Sequence, residues 1–234
     1  MTPIGLVLLP GLDGTGLLFA DFVDSLRTAA PGIEPIVVGY PRDRALAYAE
    51  LEKIARQSLP ADRPFVLLGE SFSGPIAISI AASRPGGLTG LVLVCTFAKY
   101  PRKLFRRLWR LSPFLPIKGR IVAVARRVAA QGQVPQAVEA KLDEVRATVP
   151  VDMFRFRIKE LLRVDVTQKL HEIEVPILDL RALGDQVVPN RAGDEIRQMG
   201  REVKVVDMES PHFILQAKPS ETAKAISEFV ATCR

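Results

Sequence analysis

The chain has 234 residues, 48% hydrophobic and 25% charged, with a net charge of +6. That balance excludes a disordered segment and suits one globular domain with a sizeable core. No apolar run reaches the roughly 18 residues of a membrane span, no basic stretch opens the chain as in a signal peptide, and two cysteines in separate settings give no disulfide framework, so a cytoplasmic protein is expected.

Ile4–Leu9 is a short apolar run that predicts a strand. The glycine-rich stretch Leu9-Pro10-Gly11-Leu12-Asp13-Gly14-Thr15-Gly16 follows, then a helical pattern over Leu17–Ala30. Further strands are expected at Ile36–Val38, Phe65–Leu68, Leu91–Thr96, Ile177–Ala182 and Val203–Met208, and further helices near Leu46–Ser58, Ser73–Ser83, Ala192–Met199 and Ser220–Thr232. Strands that are apolar along most of their length and alternate with helices predict an α/β architecture: a mostly parallel open sheet of about six strands with helices on both faces.

Residues 99–173 interrupt the alternation with a helical period. Leu104, Leu108, Leu111 and Leu115 share one face; Val138, Leu142, Val145 and Val149 repeat the pattern, followed by Phe154, Ile158, Leu161 and Leu162. The segment reads as a helical cap inserted into a single domain spanning 1–234, whose core is 1–98 and 174–234. Residues 99–138 hold ten basic residues (Lys99, Arg102, Lys103, Arg106, Arg107, Arg110, Lys118, Arg120, Arg126, Arg127) and no Asp or Glu, leaving −4 for the rest of the chain. Such a local excess suits an anionic partner, whether lipid headgroup, acyl-CoA or acyl-carrier protein, with a solvated helix face as the plain alternative. No nucleic-acid-binding module accompanies the charge.

Gly69-Glu70-Ser71-Phe72-Ser73-Gly74 lies between an apolar strand and a helix, which puts Ser71 at a strand-to-helix corner. Residues two before and two after a serine on so tight a turn must be small, and here they are Gly69 and Ser73. The alternative is a serine that merely caps the helix. A serine nucleophile needs a base, and the chain has two histidines. His212 follows the last strand, at the carboxyl edge where open α/β sheets bind ligands, whereas His171 precedes a strand. Asp185, just after the strand Ile177–Ala182, is the candidate to orient that base, although a Gly-Asp pair also serves as a plain turn. The backbone N–H groups of Phe72 and of Leu12, in the glycine-rich loop, are the candidate oxyanion donors. That loop lacks the spacing of a phosphate-binding or dinucleotide-binding loop.

The order nucleophile, acid, base, with the elbow Leu68-Gly-Glu-Ser-Phe-Ser-Gly74, the acid loop Gly184-Asp-Gln-Val-Val-Pro189 and the segment His212-Phe-Ile-Leu-Gln216, resembles the α/β-hydrolase family. The resemblance covers 1–98 and 174–234 and implies Ser71 as nucleophile, His212 as base and then acid, Asp185 as orienting carboxylate, and no metal or organic cofactor. Two features depart from the pattern: Pro10-Gly11 stands where many members have His-Gly, and the chain opens on what looks like the family's third strand, without the N-terminal hairpin. The expected activity is hydrolysis of a carboxylic ester or thioester. The loop Leu9–Gly16 also resembles that of plastid phytyl-ester-synthase-type acyltransferases, so transfer of the acyl group to an alcohol is one alternative; a non-catalytic binding protein on the same scaffold is the other.

Overall fold

The computed structural model describes residues 3–100 and 136–233. The helix expected around Leu104–Leu115 and nine of the ten basic residues of the charged run lie outside them. The tenth, Lys99, pairs with Asp165.

The described residues form one six-stranded, all-parallel sheet in the order β2-β1-β3-β4-β5-β6, built from β1 (Ile4–Leu9), β2 (Ile33–Val37), β3 (Phe65–Glu70), β4 (Leu88–Val94), β5 (Ile177–Ala182) and β6 (Val203–Met208). Every residue of the central strands β1 and β3 is buried, as expected where helices cover both faces. Alternate residues divide between two cores. Leu6, Leu8, Val66, Leu68 and Val92 meet Phe22 and Leu26 of α1 (Ala20–Ala29) together with Ile226 and Phe229 of the C-terminal helix. Val7, Leu9, Leu67, Leu91 and Leu93 meet Leu51 of α2 (Tyr48–Gln57) and Ile76 and Ile80 of α3 (Gly74–Ala82).

Several boundaries differ from expectation. β2 begins at Ile33, because Pro35 sits on an edge strand, where a missing N–H is tolerated. β3 runs two residues further, through Glu70, while β4 starts at Leu88 and ends at Val94, one residue before Cys95 turns away at φ 46°. Leu17–Phe19 is a 3-10 turn ahead of α1.

Between β4 and β5 lie α4 (Gln136–Thr148) and α5 (Val151–Leu161). Leu142 and Val145 of α4, with Val149 just beyond it, pack against Leu17, Leu18 and Phe213, and Lys141 pairs with Asp21 of α1 at 2.6 Å. On α5 the buried residues are Met153 and Arg157, so the face turned inward is rotated about one residue from the Phe154–Ile158 stripe that hydropathy predicts. Arg157 is the reason: its cation finds backbone acceptors inside. After β5 come α6 (Arg191–Met199), the short helix α7 (Ile214–Ala217), absent from the expected elements, and α8 (Pro219–Thr232). Among the described residues no helix is long and apolar enough to cross a membrane.

Candidate active site

The carboxyl ends of β1, β3, β5 and β6 bring the expected site residues to one edge of the sheet. Ser71 directly follows β3 with φ 48°, a left-handed conformation costing a non-glycine residue about 1–2 kcal/mol. Its surroundings hold it there. A Cβ on Gly69 would approach Ala77 Cβ to 2.7 Å and Ser73 O to 2.9 Å, and one on Gly74 would collide with Thr96. The Thr96 hydroxyl donates to Ser71 O at 2.5 Å. Ser73 is fully buried, and its hydroxyl donates to Pro10 O at 2.5 Å and pairs with the Tyr40 hydroxyl at 2.8 Å. A serine two residues past the corner therefore does more than stay small: it ties the elbow to the loop after β1.

Ser71 Oγ lies 2.9 Å from His212 Nε2, and His212 Nδ1 lies 2.7 Å from Asp185 Oδ2. The second Asp185 oxygen, Oδ1, accepts the N–H groups of Val187 at 2.8 Å and Val188 at 2.7 Å. Gly184 N donates to Ser210 O at 3.0 Å, lacing the acid loop to the histidine loop. His212 is only 7% exposed. Burial works to depress its pKa, but the facing Asp185 carboxylate, its hydrogen bond and the nearby Glu70 outweigh it and hold the imidazole above its usual 6.5. His171 is exposed on a 3-10 turn, away from this row.

The loop after β1 is unusually well held. Pro10 O accepts from Ser73, Gly11 O from Gly14 N at 3.0 Å, Leu12 O and Asp13 O from Arg157 Nη1 at 3.0 and 2.6 Å, and Gly14 O from Tyr40 N at 2.7 Å. All five consecutive carbonyls are thus satisfied. Gly11 N donates to the Glu70 carboxylate, whereas the Leu12 amide has no acceptor among the described residues. In a trans peptide the N–H points opposite the carbonyl, so the Gly14-to-Gly11 bond turns the Leu12 N–H outward from the turn. A Cβ on Gly11 would lie 4.0 Å from Ser71 Cβ, which sets this loop directly beside the serine. Phe72, the other expected donor, is the second residue of a 3-10 turn, where N–H groups precede the first intrahelical bond. Its carbonyl accepts from the Tyr48 hydroxyl at 2.8 Å and its ring stacks on Tyr48 at 4.7 Å.

Four contributors escape a reading of the sequence. Glu70 is buried behind Ser71, with Gln216 Nε2 donating to it at 3.0 Å; burial pushes its pKa up to about 7 against the opposing pull of that bond. Its signal was a charged residue closing an apolar strand. Arg157 offered a similar one, four residues from Met153 on the inner face of its helix. Gln216 and Thr96 carried none. Cys95, at the end of β4, brings its sulfur within 4.8 Å of the facing Asp185 and His212 atoms. These three are the side chains that, among the described residues, lie close enough together to share a metal ion. The 2.7 Å hydrogen bond between His212 and Asp185 is shorter than the separation of two ligands on a tetrahedral zinc, so the pair fits a shared proton better.

The sheet, its helices and the row of side chains at its carboxyl edge make this an α/β-hydrolase by fold. No family model matches the chain. Among curated proteins it is 26% identical over 180 residues to the lipase LipV of Mycobacterium tuberculosis, covering 70% of this chain and 68% of that one. Among solved structures, an esterase from Exiguobacterium antarcticum superposes with a TM-score of 0.79 at 15% identity, over 98% of this chain and 92% of its own. A monoacylglycerol lipase from Paleococcus ferrophilus gives 0.73 at 17%, over 100% and 96%.

Proposed function

We propose that the protein is a serine hydrolase that cleaves a carboxylic ester or thioester through an acyl-enzyme. The observation that carries this reading is the continuous row Ser71 Oγ, His212 Nε2, His212 Nδ1, Asp185 Oδ2, with contacts of 2.9 and 2.7 Å. In this reading Ser71 Oγ attacks the acyl carbonyl as His212 takes its proton. Asp185 holds the Nδ1 tautomer and faces the imidazolium that forms. The tetrahedral oxyanion is met by the N–H groups of Leu12 and Phe72. His212 then returns the proton to the leaving alcohol or thiol, and a water activated by the same imidazole releases the acid. The inserted segment, of which α4 and α5 are described, serves as a cap over this edge, and the basic run that the sequence places at 99–138 suits an anionic headgroup or carrier. The names of the relatives, a lipase and an esterase, support ester chemistry.

The test is labelling by a fluorophosphonate probe together with turnover of p-nitrophenyl esters of graded chain length. Wild-type protein should label and turn over while Ser71→Ala does neither and keeps its fold. Undiminished turnover in Ser71→Ala would remove the assignment. Including a fatty alcohol in the assay separates hydrolysis from acyl transfer by its products.

A further inference from the structure

Arg157 is 1% exposed although it belongs to a helix of the inserted segment, and its guanidinium reaches the loop after β1 rather than solvent. Nη1 donates to Leu12 O at 3.0 Å and Asp13 O at 2.6 Å, and Nη2 to Pro41 O at 3.1 Å. The Tyr40 ring centroid lies 6.0 Å away, at the long end of a cation–π contact. Gly14 leaves the cation its room: any Cβ there would overlap the guanidinium. A buried charge whose hydrogen bonds go to three neutral carbonyls, with the nearby Asp13 carboxylate as a counter-charge it does not hydrogen-bond, is costly to keep unless its geometry is needed.

We infer that Arg157 is a positioning residue for the oxyanion site, a role that rests on the hydrolase reading above. The two carbonyls it holds belong to the peptides just after the Leu12 Cα. Gly11 O, tied to Gly14 N, lies in the same peptide plane as the Leu12 N–H, so that plane is held directly by the turn and, across the Leu12 Cα, by the neighbouring peptide that Arg157 fixes. Arginine suits this task because one rigid, planar fork serves three acceptors at once, whereas a lysine ammonium is a point donor on a flexible stem. Through this single side chain the inserted segment reaches the reacting centre without touching substrate. The prediction follows from where the hydrogen bonds act: an oxyanion donor matters most when charge has developed on oxygen, so loosening it costs turnover more than substrate affinity.

The experiment compares wild type with Arg157→Lys and Arg157→Met on p-nitrophenyl butanoate, and measures inhibition by butylboronic acid, whose tetrahedral serine adduct needs the same donors. A misplacement near 1 Å costs on the order of 100-fold, so kcat is expected to fall about 10- to 100-fold with KM within about threefold. The boronate inhibition constant should rise in step with the loss in kcat/KM, and the lysine variant should retain more activity than the methionine one. Where the methionine variant does not fold, the lysine variant, which keeps charge and length, decides the matter. Folded variants with unchanged kcat and boronate binding would overturn the role, as would a loss confined to KM. Absence of Ser71-dependent turnover in the wild type is a separate result, which overturns the hydrolase reading and this role with it.

Discussion

Glu70→Gln is the substitution from which the site's electrostatics can be read most directly. Glu70 is buried, and its pKa rises from 4.5 to about 7, chiefly through burial. The folded-state value lies above the unfolded one, so the folded protein favours the protonated carboxyl. The side chain is therefore neutral in its effect below about pH 4.5, grows more destabilising as pH rises to about 7, and stays so above. A shift of about 2.5 units at 1.36 kcal/mol each sets the ceiling at ~3 kcal/mol. Glutamine keeps an acceptor for Gly11 N and removes the charge. Its new N–H₂ can meet Gln216 Oε1, a buried atom without a partner among the described residues, after that amide flips. The variant should melt with wild type to within a few degrees at pH 5, where the gain is under ~1 kcal/mol, and roughly 6–12 °C higher at pH 8, at ~2–4 °C per kcal/mol for a chain of this size. Because Glu70 also helps raise the His212 pKa, the acid limb of kcat/KM should move to lower pH in the same protein. Calorimetry at the two pH values checks the first effect and a pH–rate profile the second. An equal gain at both pH values, or a loss at pH 8, would refute the reasoning, since it would mean that the buried carboxylate is fully compensated.

Three other substitutions probe neighbouring contacts. In wild type, kcat/KM should rise with pH through a midpoint above 6.5, because the proposed mechanism requires His212 to be neutral as base; Asp185→Asn should move that midpoint down and lower kcat by about 10³- to 10⁴-fold, measured with a soluble ester. Ser73→Ala strips partners from Pro10 O and the Tyr40 hydroxyl, both buried, and should cost ~2–3 kcal/mol in urea denaturation. Asp179, 1% exposed with Oδ2 unpartnered among the described residues, has its pKa pushed by burial from 3.8 up to about 7, against the pull of Arg181. Asp179→Asn should stabilise the protein by a few kcal/mol at pH 8, with a gain that fades toward pH 4; a pH-independent change in its denaturation midpoint would contradict this.

The parts of the molecule that could be read in advance are those that local chemistry dictates. Apolar strands between turn residues located all six members of the sheet, and Ser71, His212 and Asp185 each sit just beyond a strand's carboxyl end, where parallel topology gathers them. What escaped reading depends on contacts made across the fold. Arg157 is 144 residues from Asp13, whose carbonyl it holds, and Gln216 is 146 from Glu70. The end of β4 was misplaced because Cys95 adopts a positive φ that no property of cysteine announces. The inner face of α5 was misjudged for a related reason: hydropathy assigns arginine to solvent, and here the acceptors lie inside.

The loop from Pro10 to Gly14, with every carbonyl engaged, constrains how such a protein can diversify. Adding or deleting one residue would strand an oxygen that the present arrangement satisfies and displace the others from their donors. A change of length within 10–14 is therefore expected to be costly, and exchanging side chains around a loop backbone of constant length is the route to new substrate preferences that leaves these bonds in place. A library aimed at altering specificity would do best to vary residue identity at Leu12 and on the helices facing it, and to leave the spacing of 10–14 untouched.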